Sequence, residues 1–182
     1  MAKKVLVILA EGFEEVEALT PVDLLRRAGA VVTLAGLNSI TVKGCHNVSV
    51  NCDITLDNAS LDAYDAVIIP GGMPGASNLA ASDAVTSRIL NIFSKGGLVA
   101  AICASPAVVL GPIGVLEGRK AVCYPGCESH SPDTKFYDMQ VCRDGNLITA
   151  RGAGCAFEFG LETVSYLFGR EEADKLALKM IY

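Results

Sequence analysis

The chain has 182 residues, 51% of them hydrophobic and 19% charged, which is too apolar for a disordered segment and, at roughly 150 residues per domain, fits one domain spanning 1–182. Asp and Glu number 20 against 15 Lys and Arg, a net charge of −5 without a basic run, so nucleic acid and anionic membrane are poor partners. The mean hydropathy of +0.41 is spread over short runs, none near the ~20 residues of a membrane-spanning helix.

Lys3 and Lys4 ahead of a short apolar run imitate a signal peptide, but Glu11, Glu14 and Glu15 break it below signal-core length, which leaves a first strand. Nearly continuous aliphatic runs at 5–9, 31–35, 66–69 and 98–103 predict strands buried on both faces, as in a parallel sheet. Helical spacing over 15–28 and 82–95 places helices between them, an α/β alternation. Thr20-Pro21-Val22-Asp23 reads as an N-cap with a first-turn proline, so the first helix is expected to kink or restart there.

Residues 40–56 predict a hairpin appended to the sheet. Further strands are expected over 120–124 and 139–143, with Asp144-Gly145 turning the second into 146–150. The polar loop 125–138 between them lacks periodicity and is read as functional or mobile. Helices over 155–168 and 170–180, separated by Gly169, close the chain. The seven cysteines are odd in number and lack framework spacing, which points to a reducing, cytoplasmic compartment.

The run Leu98-Val-Ala-Ala-Ile-Cys103-Ala-Ser-Pro106 passes from a buried strand into an expected helix, with the small residues Ala101 and Ser105 two positions either side of Cys103. Those are the demands of a nucleophile elbow, where large neighbours do not fit. A helix start would favour the thiolate, lowering a cysteine pKa from ~8.5 toward about 3.5 to 7.5. Cysteine is also a common core residue, and the pattern leaves both readings open.

Pro70-Gly71-Gly72-Met73-Pro74-Gly75 also follows a strand. It fits neither nucleotide fingerprint, but an exposed Gly72 amide could hold an oxyanion, or the segment is a plain turn. Acidic residues in Ala10-Glu11-Gly12-Phe13-Glu14-Glu15-Val16-Glu17 complement a helix start, and one aimed inward could move protons beside Cys103. Cys123, Cys127, His130 and Cys142 have non-standard spacing for zinc, and no metal is expected. Arg151-Gly152-Ala153-Gly154 could face an anion or form an ordinary turn.

VLVILAEGFEEVEALTPVDLLRRAG, VIIPGG, LVAAICASP and LITARGAGCAFEFGL together resemble the ThiJ/PfpI superfamily, most closely its parkinsonism-linked deglycase branch, along nearly the whole chain. The resemblance implies a flavodoxin-like three-layer sandwich, with a mostly parallel central sheet and helices on both faces, assembled as a homodimer. It implies Cys103 as nucleophile, Glu17 as its protonated partner, and backbone amides of Gly72 and Ala104 at the oxyanion site. Peptidase-like members carry histidine after the cysteine, where this chain has Ala104, so a peptidase is not expected. Tyr124-Pro125 stands where the deglycase relatives have histidine and proline, which makes Tyr124, His130 and Arg151 the accessory candidates.

The expected function is therefore a cofactor-free enzyme acting on 2-oxoaldehydes or glycated side chains, a glutathione-independent glyoxalase (D-lactate dehydratase type) or a protein deglycase. The alternative is an oxidative-stress sensor or chaperone acting by Cys103 oxidation. A thiazole monophosphate role, suggested by the superfamily's thiamine label, has no phosphate-binding signature behind it.

Overall fold

The computed structural model describes residues 2–182. Its central sheet has seven strands in the order β5-β2-β1-β6-β7-β9-β8. These are β1 (Lys4–Leu9), β2 (Val31–Gly36), β5 (Ile54–Thr55), β6 (Ala66–Ile69), β7 (Leu98–Ile102), β8 (Val141–Asp144) and β9 (Leu147–Ala150). All neighbouring pairs are parallel except β8 with β9, the antiparallel pair that Asp144-Gly145 joins.

The strand period of two sorts β1 between two cores. Val5, Val7 and Leu9 pack in one cluster with residues of α1 (Glu15–Arg27), α4 (Ala156–Phe168) and α5 (Arg170–Lys179). Leu6 and Ile8 join the other with residues of α2 (Gly75–Ala80) and α3 (Asp83–Ser94). Helices therefore cover both faces of a mostly parallel sheet, the flavodoxin-like α/β sandwich expected, and this is why its central strands read as unbroken apolar runs.

Four expectations need correction. Helix α1 runs through Pro21 without restarting. Gly160 of α4 packs against this point, where a β-carbon would stand 3.2 Å from Pro21 Cα and 2.6 Å from Leu24 Cδ1, so tertiary packing supports the turn that the proline weakens. The hairpin β3 (Thr41–Lys43) and β4 (Ser49–Asn51) forms its own two-stranded sheet, and only β5 joins the main one. It lies over the first loop, where the Gly12 N–H donates to Lys43 O and the Cys45 N–H to Phe13 O, both at 2.8 Å.

Residues 120–124 form no strand beyond a single bridge, Ala121 to Phe136. Their amides are spent elsewhere: the Val122 N–H donates to Thr149 Oγ1 at 2.9 Å and the Tyr124 N–H to Cys103 O at 2.8 Å. Finally, the helix expected after Cys103 is a short π-helix, Pro106–Leu110, in place of a regular α-helix. The loop 125–138 carries one 3₁₀ turn, Glu128–His130.

Candidate active site

Strand β7 ends one residue before Cys103, which holds φ at 66°. That left-handed conformation is uncommon for a residue with a side chain and fits a sharp elbow at a strand end. The hydroxyl of buried Ser105 donates to Pro70 O at 2.6 Å, tying the elbow to the Pro-Gly-Gly loop that follows β6. The Cys103 N–H donates to Ala150 O at 2.8 Å, which fixes the elbow to the other neighbouring strand. Cys103 itself remains half-buried.

Glu17 lies on the first turn of α1, with a residue exposure of only 1%. Its Oε2 accepts the Gly71 N–H at 2.9 Å, and its carboxyl lies near the Ala153 amide and the Cys103 thiol, both of which favour its charged form. The helix is started by Glu14, whose Oε2 accepts the Glu17 N–H at 2.7 Å, as an N-cap does. The Glu14 N–H in turn donates to Gly71 O at 3.0 Å, so the two loops are joined in both directions.

Gly71 leaves the room for this contact. A β-carbon there would come within 2.6 Å of Cys103 Cβ and 2.7 Å of Glu17 Oε2. Gly72 holds φ at 87° with its missing β-carbon 2.4 Å from Glu14 N, a position open to glycine alone. The backbone amides of Ala104 and Gly72 lie near the Cys103 sulfur and favour its thiolate.

Burial pushes Glu17 up to about 7. Burial first, and then the Glu17 charge, push the Cys103 thiol up to about 12, against the lowered value expected from a helix start. The Ala104 and Gly72 amides do favour the thiolate, but burial and the facing carboxylate outweigh them. Contact between the two groups favours the charge on Glu17 and opposes it on Cys103. The direction that holds for both is that the buried pair resists a second negative charge and keeps one proton between its members. With that proton on Glu17, the repulsion is gone and the Gly72 and Ala104 amides face a thiolate.

The accessory candidates separate. Tyr124 is 51% exposed, and its ring covers Gly152, whose β-carbon would stand 3.4 Å from Tyr124 Cδ2. Tyr124, Gln140, Arg151, Gly152 and Cys155 line a groove of about 380 Å³. Arg151 pairs with Asp138. His130 stands on an exposed turn, where its N–H donates to Cys127 O at 3.0 Å, and none of its hydrogen bonds reaches Cys103. A cavity of about 500 Å³ between β8, α4 and α5 contains none of these residues.

Cys123, Cys127, His130 and Cys142 do not bring their ligand atoms together, and among the described residues the one such grouping is Glu15, Cys45 and His46. Sequence reasoning passed over Gly71, Ala153, Ser105 and Glu14. Three of them lie in motifs already singled out for a neighbour, while Glu14 was one of several equivalent-looking acids.

A model of the DJ-1/PfpI family matches residues 3–166. The chain belongs to that family. It is similar to Protein dj-1beta of Drosophila melanogaster, with 41% identity over 180 residues, 97% of this chain and 96% of that protein. Another family relative, named Deglycase PH1704, from Pyrococcus horikoshii, is 33% identical over 81% of this chain and 89% of its own. The chain spans only 40% of Protein DJ-1 homolog B of Arabidopsis thaliana, at 39% identity over 96% of its own length. Among solved structures, oxidized DJ-1 of Toxoplasma gondii superposes with a TM-score of 0.95 and 40% identity, over 100% of this chain and 99% of that one. No helix among the described residues is long and apolar enough to cross a membrane.

Proposed function

We propose that the protein is a cofactor-free enzyme that converts 2-oxoaldehydes, free or as adducts on side chains, through a covalent bond to Cys103. The observation that carries this reading is the half-buried Cys103 at a left-handed strand end, with the buried Glu17 carboxyl held beside it by the Gly71 N–H. The relative named a deglycase supports it.

The reaction follows from where the shared proton sits. With Glu17 protonated, the Cys103 thiolate attacks the aldehyde carbon and the carbonyl electrons move to oxygen. The Gly72 and Ala104 amides hold that oxyanion until it takes the Glu17 proton, giving a hemithioacetal. Glu17, now a carboxylate, removes the proton from the carbon bound to sulfur and returns it to the neighbouring carbon. The hydroxyketone becomes a thioester, and water releases the hydroxy acid and restores the thiol. From methylglyoxal the product is lactate, and the net change is the addition of one water. An adduct first collapses to its aldehyde, as the bond to nitrogen or sulfur breaks and the hydroxyl proton leaves with the amine or thiol, and the aldehyde then follows the same path.

In this reading Tyr124 and Arg151, which line the groove beside Gly152, meet the remainder of a substrate, and His130 is assigned no role. A cytoplasmic homodimer belongs to the same reading. The test is methylglyoxal consumption without glutathione. Cys103→Ser is expected to lower turnover at least a hundredfold, and full activity in that variant overturns the mechanism.

A second reading has its own support, because a neighbour at 40% identity is described as oxidized. The same amides and carboxyl would hold the oxygens of a Cys103 sulfinate. Intact-mass titration with peroxide, set against aldehyde turnover, separates the two.

A further inference from the structure

Apart from Cys103, three side chains of different chemistry converge where the β3–β4 hairpin meets the start of α1. Cys45 Sγ lies 3.3 Å from His46 Nδ1 and 3.6 Å from Glu15 Oε2, and Nδ1 lies 2.9 Å from that same oxygen. A second carboxylate oxygen, Glu14 Oε1, is 3.8 Å from Nδ1. In a tetrahedral zinc site, bonds of about 2.3 Å to sulfur and 2.0–2.2 Å to nitrogen and oxygen put neighbouring ligand atoms about 3.3 to 3.6 Å apart. The observed triangle is close to one face of that figure.

The carboxylate is built in. Glu15 is 7% exposed, and its Oε1 accepts the His46 N–H at 2.8 Å and the Val48 N–H at 3.3 Å. Oε2 is left turned toward the thiol and the imidazole. Gly44 admits the group, since a β-carbon there would stand 2.4 Å from Glu15 Cδ. Glu14 is anchored at its other oxygen by the Glu17 N–H. The His46 side chain is 70% exposed, so an ion has a path in from solvent.

We propose that Glu15, Cys45 and His46, with solvent completing the coordination, form a binding site for a borderline divalent cation of the zinc class. A thiolate, a neutral imidazole and a carboxylate are the donors such an ion takes, and the thiol proton passes to solvent on binding. The site does not use the Cys103 thiol, although it adjoins Glu14, the cap of the helix that carries Glu17.

Cobalt(II) is the probe, added to chelator-stripped Cys103→Ala protein so that the elbow thiol offers no ligand. One equivalent is expected to produce tetrahedral d–d bands and a thiolate charge-transfer band, both removed by zinc. His46→Ala and Cys45→Ser, at positions outside the core, are expected to lose the charge-transfer band and to weaken zinc binding at least tenfold. Circular dichroism checks that both remain folded. No tetrahedral spectrum in the Cys103→Ala protein, or unchanged zinc affinity in either variant, overturns the proposal.

Discussion

Gly71 donates its backbone N–H to Glu17 at 2.9 Å, and the β-carbon it lacks would collide with both Glu17 Oε2 and Cys103 Cβ. The glycine thus does two jobs for a carboxyl and a thiol that come from opposite ends of the motif set. It holds one in place and leaves the space in which the other meets it.

Gly71→Ala should separate the pair. A methyl group 2.6 Å from Cys103 Cβ and 2.7 Å from Glu17 Oε2 must push one of them away, and such overpacking costs about 1–3 kcal/mol. Thermal unfolding should show a modest loss of stability, while turnover of a 2-oxoaldehyde falls by at least tenfold. Wild-type turnover in the variant would mean that the close contact is not needed.

Glu17 gives stability a pH dependence. Burial raises its folded pKa from 4.5 to about 7, so the folded chain holds a proton that the unfolded chain releases. Stability from this group is fully present below pH 4.5 and is lost as pH rises to about 7, a change on the order of 3 kcal/mol. Urea unfolding at both ends of that window should show the decline in the wild type and its removal in Glu17→Gln. The variant should also lose turnover while Cys103 still alkylates.

Ser105 positions the elbow without touching a substrate. Its buried hydroxyl donates to Pro70 O at 2.6 Å, and Ser105→Ala leaves that carbonyl short of a donor at a cost of about 1–3 kcal/mol. The expected result is lower turnover at unchanged KM, because the two loops lose their tie. A variant changed in stability alone would reduce Ser105 to a structural role.

Thr149 takes the place of a missing ladder partner. Its Oγ1 accepts the Val122 N–H at 2.9 Å in a buried setting. Thr149→Val keeps the shape but strands that amide, for about 1–3 kcal/mol of lost stability by denaturant titration. Little change would show that water or a shifted backbone satisfies Val122.

The sheet was legible because a strand with helices on both sides must be apolar on both sides. Val5, Leu6, Val7 and Ile8 all reach 0% exposure, and no other arrangement explains four such residues in a row so economically. The elbow was legible for a similar local reason, since only small residues fit beside Cys103. The strand expected at 120–124 was misread because its amides go to Thr149 and Cys103, partners distant in the chain that no periodicity records. The hairpin at 40–56 was misplaced because local alternation fixes pairing within the hairpin and says nothing about which sheet it joins.

Local chemistry thus determined the alternation of strands and helices, the elbow and the set of acids near it. Tertiary structure decided which acid faces the sulfur, because Glu17 is selected among its neighbours by the Gly71 and Ala153 amides that meet it. It also decided the charge of the pair. A pKa depends on burial and on charges brought close by folding, and neither quantity exists along an extended chain.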